Sequence, residues 1–278
     1  MSVVNNRVGS SPRVKWTLIA LGSAIGAVLL GLPLVIIFTM ALREGLALYA
    51  AKIIEPETLH AIWLTVLTAI VVVPINTLFG ICVAWAVTRH SFRGQSLLVA
   101  LVEIPYSVSP IVAGVAYLFL YGMQGLWGPW LQDHNISIMF SIPAIFLVSL
   151  FVTSPFVARE LIATMQAQGV EDEEASISLG ATGLQTFIRV TLPNIRWGLL
   201  YGVILCNARV MGEFGAVSVV SGSIRGETNT LPLQIELLFN DYNTTGAFAA
   251  ASILTLLALI TLGLKLWLER KSPLRGPH

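Results

Sequence analysis

An all-α, polytopic membrane protein is expected of this chain, on three grounds. Of its 278 residues, 55% are hydrophobic and 11% charged, where a soluble domain carries roughly 25% charge. Mean hydropathy is +0.80. The apolar residues gather into six blocks, each near the roughly 17–25 residues that cross a bilayer as a helix. A net charge of +1 fits neither a strongly basic nucleic-acid surface nor an acidic tail, so membrane lipid is the expected surrounding and nucleic acid is not a partner.

The first block, Trp16 to Leu42, follows Arg7, Arg13 and Lys15. A secretory signal shares that basic start, but its apolar core spans only about 7–15 residues, so this block is read as a retained anchor. Gly22 and Gly26 stand at the spacing that permits close helix contact. The second block is Leu59 to Val87, with Pro74 inside it. The third, Leu97 to Tyr121, holds Pro105 and Pro110; the fourth, Ile138 to about Met165, holds Pro143 and Pro155. Proline frees carbonyls that lipid cannot satisfy, so these spans either face protein or a water-filled cavity, or are simply kinked where they pack. Gly198 to Val220 and Gly246 to Leu268 complete the six. The chain divides into residues 1–15 outside the membrane, a membrane domain over 16–268, and a tail over 269–278.

Cys82 and Cys206 fall inside apolar blocks and are expected to be small buried hydrophobes rather than a disulfide. His60, His90, His134 and His278 are scattered, none with the paired spacing of a zinc helix. No metal and no cofactor bound by this chain are expected. Neither a phosphate loop of the G-x-x-x-x-G-K-[ST] type nor a G-x-S-x-G elbow occurs, so the chain should not hydrolyse nucleotide and is not expected to be an enzyme.

Orientation follows from lysine and arginine. Arg7, Arg13, Lys15, Arg89, Arg93, Arg159, Arg189, Arg196, Lys265, Arg270, Lys271 and Arg275 fall on one side of the six spans. Arg43, Lys52 and Arg225 fall on the other, and Arg209 lies within a block. Both termini should be cytoplasmic.

The cytoplasmic connection between the fourth and fifth blocks carries the densest local signals. Glu171, Asp172, Glu173 and Glu174 suit the positive end of a short helix. Leu179 then Gly180 supplies its stop, because glycine tolerates the left-handed conformation there. Thr182 with Gln185 three residues on matches a capping box opening a second short helix through Val190, and Pro193 suits the first turn of the next span. Two short helices at a sharp bend are expected.

The run Glu174-Ala175-Ser176-Ile177-Ser178-Leu179-Gly180-Ala181, followed by Phe187 and Pro193, resembles the E-A-A-x-x-L-G-A coupling motif of ABC-importer permease subunits, with Ser176 in place of the second alanine. Ile104 to Gly114, the run Arg209-x-x-Gly212-Glu213-Phe214-Gly215, Thr230 to Glu236, and Asn240 to Tyr242 are similar to the sulfate and molybdate permease branch, nearest its W-type sulfate/thiosulfate members. Glu103 stands where related motifs carry Asp. The resemblance spans about residues 55 to 270. It implies a type I importer fold in a bacterial inner membrane, with a coupling loop over 171–192. It also implies a T-type permease beside this chain, two ATPase subunits that hold ATP and Mg, and a periplasmic sulfate-binding protein. Glu173, Glu174, Ala175, Ser176, Leu179, Gly180, Ala181 and Phe187 would form the ATPase-coupling interface.

Within the fifth block Arg209 and Glu213 stand at i and i+4, on one helix face. A charged residue at a helix centre costs roughly 2.5–3.5 kcal/mol, so the two should pair or face water. They are either a structural pair or a place where Arg209 meets a passing dianion. Ser107, Ser109, Ser218, Ser221 and Arg225 are further candidates to line a pathway, although serine in a membrane often bonds its own helix; Arg225 is equally a candidate dock for the binding protein. A molybdate or tungstate permease is the nearest alternative. An ion-gradient-driven anion transporter is a different class, but the expected inverted repeat is not visible between the first three and last three blocks.

Overall fold

A computed structural model describes residues 12–271; Arg7, Arg275, His278 and most of both expected terminal segments lie outside the described residues. All regular structure among those residues is helical. Helix α1 (Pro12–Gly26) runs through a π-helical turn, Ala27–Gly31, into α2 (Leu32–Leu42). Together they form one apolar rod that is exposed almost along its whole length. A Cβ on Gly22 or Gly26 would meet nothing within 4 Å among the described residues, so their spacing serves no close helix contact there.

The short α3 (Leu46–Ile54) leads into α4 (Pro56–Arg89). The third block is not a single rod: α5 (Gln95–Ser107) and α6 (Pro110–Tyr121) meet at an angle of 107°. The break sits where Pro110 forbids helical backbone to the residue before it, and Ser109 takes ψ 133°. Helix α7 (Gly128–Asp133) precedes α8 (Ile142–Gln168), which starts a turn later than expected because Phe140 adopts φ +58°. Pro74, Pro105 and Pro155 lie inside helices, while Pro110 and Pro143 open them.

Helix α9 (Glu171–Ser178) and the one-turn α10 (Gly183–Thr186) form the expected bend. One expectation is corrected. The second short helix does not end near Val190; α10 continues through a π-helical turn, Phe187–Thr191, into α11 (Leu192–Met211). Pro193 therefore sits within a continuous helical path, where a π turn relieves the hydrogen bond that proline cannot donate. The fifth block is also corrected: α11 stops at Gly212, and α12 (Gly215–Val220) follows after a break. Then come α13 (Leu231–Asn240), which no apolar block announced, and α14 (Thr244–Lys271). Arg159 and Arg196, counted above with the charges outside the spans, are on α8 and α11.

The centre of the bundle is α4 against α8. Asn76 Nδ2 donates to Thr153 Oγ1 at 2.7 Å, and Thr88 Oγ1 lies 3.6 Å from Met165 Sδ. Contacts advance together along both sequences, so the two helices are parallel. A Cβ on Gly80 would fall 2.7 Å from Val157 Cγ1 and 2.9 Å from the backbone nitrogen of Ala158, so only glycine permits this approach. Helix α11 runs antiparallel to α8, with Gly198 against Thr164 and Gly202 against Val157. Val72, Val157, Leu161, Met165, Ile195 and Cys206 fill the space between them. Cys206 is buried as expected, but Cys82 is exposed; an apolar thiol is tolerated on the outside of a helix whose surroundings are lipid.

Candidate functional site

Two places gather the residues singled out by sequence. The first is the bend after α8. Gly180 has φ +89°, its N–H donates to Ile177 O at 2.9 Å, and the Ala181 N–H donates to Ser176 O at 3.2 Å, the paired bonds of a Schellman stop. Thr182 and Gln185 complete the capping box: Thr182 N–H donates to Gln185 Oε1 at 2.9 Å and Gln185 N–H to Thr182 Oγ1 at 3.4 Å.

Around this bend the side chains divide into two sets. Glu174, Ala175, Leu179 and Gly180 are exposed, Leu179 at 90%. Ile177, Leu184 and Ile188 are exposed beside them. The sequence patterns did not single out these three; apolar side chains in a short polar connection were their signal. The result is an acidic helix start flanked by unburied aliphatic side chains, a surface suited to a complementary protein cleft. Glu173, Ser176 and Phe187 turn the other way. Glu173 Oε2 accepts from Arg89 Nε at 2.6 Å and Oε1 from Thr191 Oγ1 at 2.7 Å. Ser176 Oγ is 3.2 Å from Thr186 Oγ1. Phe187 lies against Trp85, with ring centroids 5.0 Å apart. Ala181 is partly buried behind Gly180.

The second place is where the two helix breaks meet. Gly215 at the start of α12 abuts Pro110 and Ile111 at the start of α6; a Cβ there would stand 3.3 Å from each side chain. Glu213 lies in the break rather than on α11, so the expected shared helix face is corrected. Its carboxylate is nevertheless paired, with Oε2 2.6 Å from Arg209 Nη1. The atoms are close but not aligned for a hydrogen bond, so the contact is coulombic. Oε1 accepts the Ala216 N–H at 3.1 Å, capping α12. Glu213 is buried, whereas the Arg209 side chain is 31% exposed. Here a carboxylate sealed in protein holds a guanidinium that still reaches the surface.

The serines are used locally. Ser107 Oγ donates to Ile104 O and Ser218 Oγ to Gly215 O. Buried Ser221 accepts from the Ser223 N–H. Ser109 sits exposed at the bend before α6. Arg225 pairs with Asp241, apart from the Arg209 cluster in the fold's connections. Among the described residues no group of three or more His, Cys, Asp or Glu side chains is placed to hold a metal.

Residues 46–272 match the family described as binding-protein-dependent transport system inner membrane component. The chain belongs to that family. Among similar proteins, "Sulfate transport system permease protein CysW" of Escherichia coli (strain K12) is 57% identical over 92% of this chain and 88% of its own length. The Synechocystis sp. protein of the same name is 47% identical over 94% of each. "Sulfate transport system permease protein CysT" of Escherichia coli (strain K12) is 33% identical over 83% of each. In fold, a crystal structure of "a bacterial ABC transporter involved in the import of the acidic polysaccharide alginate" superposes with a TM-score of 0.74 at 15% identity, covering 93% of this chain and 96% of that one. This permease is thus a multi-pass membrane protein and a transporter component.

Proposed function

We propose that this permease is one membrane subunit of an ATP-driven sulfate/thiosulfate importer in a bacterial inner membrane, with both termini cytoplasmic and about six membrane crossings. The bend over 171–192 carries the coupling part of this reading: Gly180 in the left-handed region exposes Leu179 at the tip of an acidic helix, beside Ile177 and Leu184. Such a protrusion fits the cleft of an ATPase subunit, which would supply ATP and Mg. Glu174, Ala175, Leu179, Gly180, Ile177 and Leu184 make the docking face, while Glu173, Ser176 and Phe187 hold it from behind. The sulfate specificity rests on likeness to the sulfate permeases named above. Their two types favour a heterodimer of this chain with a T-type permease, with two ATPase subunits and a periplasmic sulfate-binding protein completing the assembly.

Arg209 is the candidate contact for the anion, since its guanidinium is partly exposed, lies just before the α11–α12 break and is held by Glu213. Broken helices at a cavity are tolerated where protein or water satisfies the backbone. Reconstitution into vesicles with the ATPase, the second permease and the binding protein tests the whole reading. Sulfate uptake that requires ATP is expected. Uptake driven by an ion gradient alone would sink the proposal, and preference for molybdate over sulfate would redirect its cargo.

A further inference from the structure

The coupling helix α9 has no buried residue. Its main packing is with α10 and the following π-helical turn, and its bonds toward α4 are polar. Yet α4 and α8 are the centre of the bundle. A rigid lever needs a stiff attachment, and one is present. Arg89 is the last residue of α4. Its Nε donates to Glu173 Oε2 at 2.6 Å, its Nη2 to Gly169 O at 2.9 Å, and its Nη1 to Met165 O at 3.4 Å. Glu173 in turn accepts from buried Thr191 in the turn before α11. A single guanidinium thereby links the ends of α4 and α8 to α9, and through Glu173 to α11.

The pair differs from an ordinary surface ion pair. The Arg89 side chain is 9% exposed and that of Glu173 13%, and the donors of Arg89 fan out to three acceptors, the forked geometry that lysine cannot reproduce. A cation at the carboxyl ends of α4 and α8 also complements their dipoles. The two residues border a cavity of about 300 Å³, shared with Trp85, Thr186 and Phe187. Its bonds to Arg89 and Thr191 direct Glu173 into the chain, whereas Glu174, on the rim of the same cavity, is exposed.

We propose that Arg89 and Glu173 are positioning residues for coupling: they clamp α9 to α4 and α8, so that displacement of the docked loop is passed to the bundle rather than absorbed by the bend. The inference rests on the importer reading above. Without the clamp, α9 would remain capped and folded but could swing on the Gly169 and Gly180 joints, both of which have positive φ.

The test uses the full complex of both permeases, ATPase and binding protein in vesicles, reading sulfate moved per ATP hydrolysed. In Arg89→Gln and Glu173→Gln complexes that ratio should fall by roughly 5-fold or more, the lower end of typical coupling between sites. An unchanged ratio in assembled complexes overturns the proposal. A second variant restores a link chemically: Arg89→Cys with Glu173→Cys, in a Cys82→Ala background, bridged by a short cleavable bis-methanethiosulfonate. Uptake per ATP should be high when bridged and low after reduction of the same sample. Equal ratios in the two states overturn the clamp, as does failure of the double variant to assemble whether bridged or not, because the pair would then serve folding alone. If instead the unsubstituted complex shows no ATP-dependent uptake, the importer reading itself fails, and the two failures remain distinct.

Discussion

Glu213 carries two obligations at once, which sets what substitution should do. Its carboxylate caps α12 through the Ala216 N–H and balances Arg209. Removing one partner of a fully buried pair costs about 3–5 kcal/mol; with Arg209 partly exposed, Arg209→Ala should cost less but still lower the thermal unfolding temperature of the purified complex. Arg209→Met with Glu213→Gln removes both charges at similar volume, and its amide oxygen can still accept the Ala216 N–H. That variant should regain stability. If Arg209 attracts the anion, ATP-driven flux stays low in the stable double variant because the positive potential is gone; full flux would leave the pair a structural role alone. Gly180 offers a separate test. A β-branched residue at φ +89° meets a conformational cost of about 1–2 kcal/mol, confined to the bend. Gly180→Val should insert normally into the membrane, yet retain less ATPase on purification and lose uptake. Normal transport with the ATPase bound would remove the loop from the mechanism.

At the scale of the helix, the α4 and α8 contact depends on Gly80. A larger side chain there meets both Val157 and the Ala158 backbone, and backbone cannot rotate away as a side chain can. Overpacking of this kind costs typically about 1–3 kcal/mol. Gly80→Leu should destabilise the bundle, measured as a lower melting temperature in detergent, while the matching change at Gly26, where an added Cβ would meet nothing within 4 Å among the described residues, should not. A melting temperature equal to the unsubstituted protein would mean the two helices are not so close. Elements with local causes were legible from sequence: the Thr182–Gln185 capping box, the Gly180 stop and the long apolar helices α4, α8 and α14 appear where residue chemistry puts them. The α5 and α6 bend was half legible, since Pro110 marked it but an unbroken apolar run concealed its angle. The break at Gly212 to Phe214 was not. It is fixed by Glu213 capping α12 and by α6 packing against Gly215, and these are tertiary contacts that no spacing encodes. Arg89 escaped for the same reason: in sequence it is one more positive charge, and only the fold sets Glu173 and the end of α8 within its reach.

At the scale of the molecule, the directions of the helices and the distribution of charge converge on one topology. Helices α4 and α8 are parallel, and α11 runs against α8; Asn207 Nδ2 lies 3.5 Å from Thr261 Oγ1 and the Lys265 ammonium 4.7 Å from the Tyr201 ring centroid, so α14 runs against α11. The ends of α4 and α8 and the start of α11 consequently share one face, joined by Arg89, Glu173 and Thr191. On the opposite face His60 Nε2 meets Glu227 O at 3.0 Å, Arg225 pairs with Asp241, and Thr245 donates to Glu44 at 2.8 Å. The face that holds Arg89 also collects Arg93 and Arg189, and the carboxyl end of α14 points toward it. Positive residues near membrane ends favour the cytoplasm, so that face should be cytoplasmic and the α7 connection external. A phosphatase that is active only outside the cytoplasm, fused after His278, should be silent; inserted beside His134, between α7 and α8, it should be active. A fluorescent protein that matures only inside should give the reverse pattern. Activity of the phosphatase at the carboxyl end would invert the molecule, and with it the ATPase site assigned to the α9 bend, because ATP and its hydrolysing subunit are available on the cytoplasmic face alone.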